Sequence, residues 1–169
     1  MQFKMRVKNI DIFWNYIRDF QKALSMGFSN SYYFYSIFVE EKVVQGIINS
    51  LVIDSQLIYI GSTVRTPSDQ LLNNHRLFQS IIKDYGKDYN ISFAFGGFSD
   101  TNRIIDDELI RNIESMMITH FKPRLNAVDF EDQSGNPIEI YSSCEGFELL
   151  NFKLIPKNKN QFSPISYSN

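Results

Sequence analysis

A carboxylate stands where an apolar side chain would fit. At i±4 spacing Glu114 falls in one column between Ile110 and Ile118, beside Ile113 and Met117. Burying an unpaired carboxylate is costly, so this position requires a metal ion, a cationic partner or a cleft open to water. The alternatives without chemistry are a structural ion pair with an arginine, or a glutamate at the edge of the stripe whose head reaches solvent. Tyr59 alternates within a strand-like pattern, where a tyrosine ordinarily packs in the core or across to a neighbouring strand. Gly61, at the end of that pattern and followed by Ser62-Thr63, would let another backbone or a phosphate come close. Cys144, the single cysteine, leaves no intrachain disulfide and no Cys/His zinc spacing. A nucleophilic role for it is disfavoured, because both histidines are far from it in sequence and nothing in Ser143-Cys144-Glu145-Gly146 would activate the thiol.

Helices and strands must position these residues. Ile10, Phe13, Trp14, Ile17, Phe20 and Leu24 recur at helical spacing, with Asp11, Asn15, Arg18 and Gln21 between them, and predict an amphipathic N-terminal helix. Met26 to Ser31 reads as a loop. Tyr32 to Val39, Val43 to Ile53 and Gln56 to Thr63 read as a strand meander, with turns at Glu40-Glu41-Lys42 and Asp54-Ser55. Thr66 as a cap, Pro67 at the first helical position and Asp69 near the N-terminal dipole start a helix that runs through Leu77, Phe78, Ile81 and Ile82 and stops at Gly86. Ile91 to Phe98 is a strand, and Ile104 to Phe121 is the strongest helix, ended by Pro123. After a polar turn from Glu131 to Pro137, Ile138 to Ser142 and Phe147 to Ile155 read as strands. The expected class is α+β: a small mixed or antiparallel sheet flanked by helices, with an N-terminal helix and a C-terminal β extension.

At 169 residues, 43% hydrophobic and 15% aromatic, the chain suits one compact domain over residues 1–156 with a polar tail over 157–169. The net charge of -2 and the pI of about 5.7 exclude a protein that is basic overall, so a nucleic-acid-binding face would have to be local. Modest basic clusters are Lys4, Arg6 and Lys8, then Lys122 with Arg124, then Lys153, Lys157 and Lys159. The charged start, Met1 to Asp11, resembles neither a signal peptide nor a membrane span, and with the lone cysteine it predicts an intracellular, cytoplasmic protein.

Together, Tyr59-Ile60-Gly61-Ser62-Thr63 and Glu114-x-x-x-Ile118-x-x-x-x-Pro123-x-x-Asn126 resemble the two halves of the GIY-YIG nuclease signature, and the likeness runs from about Tyr32 to Asn126. The second motif is intact as Tyr59-Ile60-Gly61. The family's metal-binding glutamate matches Glu114 and its downstream asparagine matches Asn126. Leu77 to Gly86 is similar to the family's second helix and the turn before its third strand. Two positions depart. Gly46-Ile47-Ile48 has isoleucine where the first-motif tyrosine belongs, so Tyr33 or Tyr35 on the preceding strand is the substitute phenol if the hairpin is enlarged. Gln70 or Leu71 stands where the helix arginine belongs, leaving Arg65 and Arg76 as substitutes. His75 roughly fits the family's histidine one turn past the arginine.

The resemblance implies a GIY-YIG-like core over about residues 32–126 and hydrolysis of DNA phosphodiester bonds with Mg or Mn. Hydrolysis needs an attacking water, a base, and positive charge on the pentacovalent phosphate. Glu114 would hold the divalent ion. Tyr59 would take the water's proton or orient the water, its phenol lowered by local positive charge. Arg65 or Arg76 would clamp the phosphate. Gly61, Lys122 and Arg124 would meet the nucleic acid and Asn126 would fix the helix end. The implied partner is DNA, with no membrane, and a homodimer is allowed. A rival reading is an acyl-CoA N-acyltransferase fold, from Val39 to Ile48, Val64 to Pro67 and Glu145-Gly146-Phe147-Glu148. Gln70-Leu71-Leu72-Asn73-Asn74-His75 lacks the glycines that cradle a pyrophosphate, so no acyl-CoA is expected. A third reading is a nuclease relative that binds DNA or a protein without cutting.

Overall fold

The computed structural model describes residues 8–19, 22, 32–42, 55–62, 75–99, 105–126 and 138–155. These form strands β1 (Lys8–Ile17), β2 (Tyr32–Glu41), β3 (Ser55–Ser62), helix α1 (His75–Tyr85), β4 (Tyr89–Phe98), α2 (Asp107–Phe121), β5 (Ile138–Cys144), a 3-10 turn (Glu148–Leu150) and β6 (Phe152–Leu154). One six-stranded sheet runs β3-β2-β4-β1-β5-β6. It is mixed: β1 is parallel to β5 and antiparallel to β4, and the other neighbours are antiparallel. The α+β class and the C-terminal β extension are as expected.

The N-terminal helix is overturned over residues 8–17; Lys22 is helical, and Phe20 and Leu24 of that run lie outside the described residues. Residues 8–17 are β1, inserted between β4 and β5. Ile10, Ile12 and Trp14 are buried while Asn9 and Asp11 are exposed, a period of two that the helical spacing concealed. The run is rich in β-branched and aromatic residues, which suit a strand flanked on both sides. At the other end, the strand expected from Phe147 to Ile155 is a 3-10 turn followed by the short β6. The strand expected over Val43 to Ile53 and the helix start at Thr66 and Pro67 lie outside the described residues.

Each sheet face carries its own core. Phe78 and Ile81 of α1 pack with Tyr35, Ile37, Val39, Phe93 and Phe95. On the opposite face, Leu109, Ile110, Ile113, Met116, Met117 and Ile118 of α2 pack with Phe34, Phe38, Ile60, Ala94 and the inward residues of β1 and β5. A fully buried side chain of this kind contributes about 1.5–3 kcal/mol, so the buried stripe of α2, not its helix propensity, holds the helix down. Its ends are set locally. The Asp106 carboxylate accepts from Leu109 N at 2.7 Å, and Lys122, at φ 49° and ψ 54°, turns the chain out of the helix while donating its N–H to Ile118 O.

Two features of the sheet matter below. The β2/β3 register shifts so that Ile37 pairs with Tyr59 but Phe38 pairs with Leu57, leaving Ile58 as an extra residue. Away from this bulge, Glu40 of β2 is a buried carboxylate that accepts hydrogen bonds from Tyr16 of β1 and from Ser55 of β3, the latter at 2.8 Å. The Tyr16 and Ser92 hydroxyls are bonded at 2.9 Å. One polar chain thus links β3, β2, β4 and β1, four strands in a row.

Candidate functional site

The bulge decides where Tyr59 points. Leu57 packs into the core under α2, whereas Tyr59, two residues later, packs into the core under α1. Without Ile58 as the extra residue the two would share a face. Tyr59 then meets Tyr35: the ring centroids lie 5.7 Å apart and the two phenols are hydrogen-bonded. Tyr35 pairs across the hairpin with Gly61, and its phenol lies where a Gly61 side chain would be, 2.5 Å from the position of a Cβ. Gly61 is therefore needed to seat the Tyr35 phenol. Tyr33 is separated from Tyr35 by a register shift between Tyr32 and Phe34, and its ring packs on Phe98 at 5.1 Å under α2. Of the two substitute phenols, Tyr35 is the one beside Tyr59.

Glu114 approaches β3 from the α2 face. Its Oε2 accepts the Ser62 hydroxyl at 2.5 Å, and its carboxylate also accepts the Ser62 backbone N–H. It is half-buried, and no arginine or lysine pairs with it among the described residues. The ion-pair alternative thus finds no support there. Burial raises its proton affinity, and the two Ser62 donors offset part of that rise. Tyr59 is pushed above its ordinary value chiefly by burial, then by Tyr35 and by the negative charge of Glu114. The tyrosine pair and the glutamate thus reach β3 from opposite faces, and the charge of Glu114 adds only the smallest part of the rise at Tyr59. The lowered phenol expected for Tyr59 is reversed: its described surroundings favour the protonated form, because burial and a carboxylate both oppose a phenolate.

The outer edge of β3 is closed by α2 and the turn that follows it. Leu125 N donates to Ile58 O at 2.9 Å. The Asn126 side chain clasps Ile60, accepting its N–H at 2.9 Å and donating to its carbonyl at 2.7 Å. Glu114 then takes the N–H of Ser62. The Ile58 carbonyl, both backbone groups of Ile60 and the Ser62 N–H, which would otherwise be part of an open template for another strand, are thus occupied. Asn126 thus fixes the chain after α2 to the middle of Tyr59-Ile60-Gly61. Lys122 and Arg124, on the same turn, are exposed to solvent.

The remaining candidates are not joined to this group by any bond among the described residues. Arg76 is exposed in the first turn of α1, the helix covering the tyrosine face, and no bond joins it to Glu114. Arg65 lies outside the described residues, as do Gly46, Ile47 and Ile48, and of His75 only the backbone is described. Among the described residues no three His, Cys, Asp or Glu side chains gather as a metal-holding cluster. Cys144 is buried and its thiol is pushed up by burial, in keeping with an inert cysteine. No helix among the described residues is long and apolar enough to cross a membrane. Ser62 escaped the sequence reading, although its place two residues beyond Ile60 on the face under α2 was a usable signal.

Compared with known proteins, the chain matches no family model, no curated protein and no solved structure.

Proposed function

We propose that this chain is a divalent-metal-dependent endonuclease of the GIY-YIG type, acting on DNA at the outer edge of β3. One observation carries the reading: Glu114 is a half-buried carboxylate held by a hydroxyl and an N–H, with no cation to balance it among the described residues. Such a hard oxygen donor fits Mg or Mn, which commonly take one or two carboxylates and fill their other positions with water and phosphate.

A bound divalent ion would supply Lewis-acid charge to the phosphate and the leaving oxygen. The chain's own residues do the rest. Tyr59, supported by its hydrogen bond to Tyr35, would orient the attacking water; it would take the water's proton only as the phenolate, having first lost its own proton to solvent when positive charge at Glu114 offsets the burial that holds the phenol protonated. Arg76 or Arg65 clamps the phosphate, and Lys122 and Arg124 meet the phosphate backbone on either side. Gly61 makes room for the Tyr35 phenol that supports Tyr59.

The test is plasmid nicking with magnesium or manganese by the wild type and by Glu114→Gln. Glutamine keeps the size and can still accept the Ser62 N–H, so the fold should persist while cleavage falls by about 100-fold or more. Undiminished nicking by a folded Glu114→Gln protein would sink the assignment. A second reading is favoured by the closed edge: Glu114 and Asn126 both bond to β3, which suits a scaffold that binds DNA without cutting it. That reading expects metal-independent DNA binding and no turnover.

A further inference from the structure

We propose that Ser62 is the positioning residue of this site, fixing the carboxylate of Glu114 in the orientation that receives the divalent ion; this rests on the nuclease reading above. A glutamate on a helix swings about three side-chain bonds, and one hydrogen bond leaves its carboxylate free to rotate about the donor. Ser62 supplies two donors from one residue, its backbone N–H and its hydroxyl, the latter 2.5 Å from Oε2. Together they set both the position and the plane of the carboxylate. The donors are themselves held. Ser62 ends β3, and two residues earlier the backbone of Ile60 is clasped on both its N–H and its carbonyl by Asn126. Asn126 follows α2, the helix that carries Glu114. The circuit from α2 through Asn126, Ile60 and Ser62 back to Glu114 is closed, so the strand end cannot drift from the helix without breaking hydrogen bonds at two places.

An outer partner that orients a metal-binding carboxylate typically accounts for about 10- to 100-fold in metal affinity or activity. Ser62→Ala removes the hydroxyl and keeps the N–H; Ser62→Thr keeps both and suits a strand end. The experiment titrates manganese into the whole chain, following free Mn by electron paramagnetic resonance, and in parallel finds the manganese concentration that gives half-maximal plasmid nicking. Thermal unfolding in chelator checks the fold of each variant. The expected result is a Ser62→Ala midpoint about 10- to 100-fold higher in both titrations, with nicking restored towards wild type at saturating metal, and a Ser62→Thr midpoint close to wild type. If Ser62→Ala unfolds, Ser62→Cys, similar in size with a weak donor, must show the same displaced midpoint. An unchanged midpoint in a folded Ser62→Ala protein, beside a wild type that binds manganese and nicks DNA, overturns the positioning role and leaves the nuclease reading standing. A Ser62→Thr protein as impaired as Ser62→Ala overturns the hydroxyl's part in it. A wild type that neither binds manganese nor nicks DNA removes the nuclease reading and this proposal with it.

Discussion

Replacing Gly61 by alanine would put a methyl carbon 2.5 Å from the ζ carbon and the hydroxyl oxygen of Tyr35, and 2.6 Å from its ε1 carbon. Non-bonded carbons settle at about 3.5–4.0 Å, so the ring must retreat by about 1 Å. Tyr35 is only 2% exposed and Tyr59 lies against it, so the retreat compresses its neighbours. Overpacking of this kind costs about 1–3 kcal/mol. Urea unfolding of four proteins measures it: wild type, Gly61→Ala, Tyr35→Ala and the double variant. Tyr35→Ala alone should cost about 3–5 kcal/mol as a truncated buried aromatic. With the ring gone the three closest contacts of the new methyl are gone too, so the double variant should be about as stable as Tyr35→Ala, a coupling of about 1–3 kcal/mol. Additive energies, with coupling below about 0.5 kcal/mol, would show that the phenol does not occupy the space over Gly61, and the account of why this glycine is needed would fail.

Two other substitutions probe the surroundings. Lys122 is the one non-glycine residue of positive φ among those described, a conformation that costs about 1–2 kcal/mol for a residue with a Cβ. Lys122→Gly should therefore raise Tm by about 2–4 °C in differential scanning calorimetry, and an unchanged or lowered Tm would refute the strain. The Ser36 hydroxyl is buried with no hydrogen-bond partner among the described residues. Ser36→Ala should leave stability equal or raise it by about 1 kcal/mol in denaturant unfolding, whereas a loss of that size would reveal a partner for the hydroxyl.

Much of the sheet was legible because its strands carry their signals locally. β2, β3 and β4 fall within a few residues of the runs that predicted them, α1 stops at Gly86, and α2 ends before Pro123. Glu114 was legible as an anomaly, since a carboxylate among Ile110, Ile113, Met117 and Ile118 breaks an otherwise apolar stripe. β1 was not legible, because a run this dense in apolar residues satisfies a period of 3.6 nearly as well as a period of two. The strand wins through partners distant in sequence: Trp14 pairs with Gly96 on one side and Cys144 on the other. The bulge at Ile58 was hidden for a related reason. Nothing in Leu57-Ile58-Tyr59 marks an extra residue; only the pairing with β2 exposes it, and with it the turn of Tyr59 towards Tyr35. Asn126 was picked out only through the resemblance to the nuclease signature, and that its amide would grip the backbone of Ile60 depended on where the turn lands.

The polar chain through Ser55, Glu40, Ser92 and Tyr16 bears on how this protein can be dissected. The stretch from about Tyr32 to Asn126 holds the tyrosines, Gly61, Glu114 and Asn126, and looks like a unit that could be excised. Yet Tyr16, on β1, lies outside it and supplies one of the two hydrogen bonds that keep the buried carboxylate of Glu40 satisfied. Cutting the chain before Tyr32 would take the Tyr16 donor from that buried carboxylate, leaving it the Ser55 bond, and would bare the flank of β4 where β1 pairs. The N-terminal strand is thus not an accessory to the core but one of its walls, paired with β4 on one side and β5 on the other.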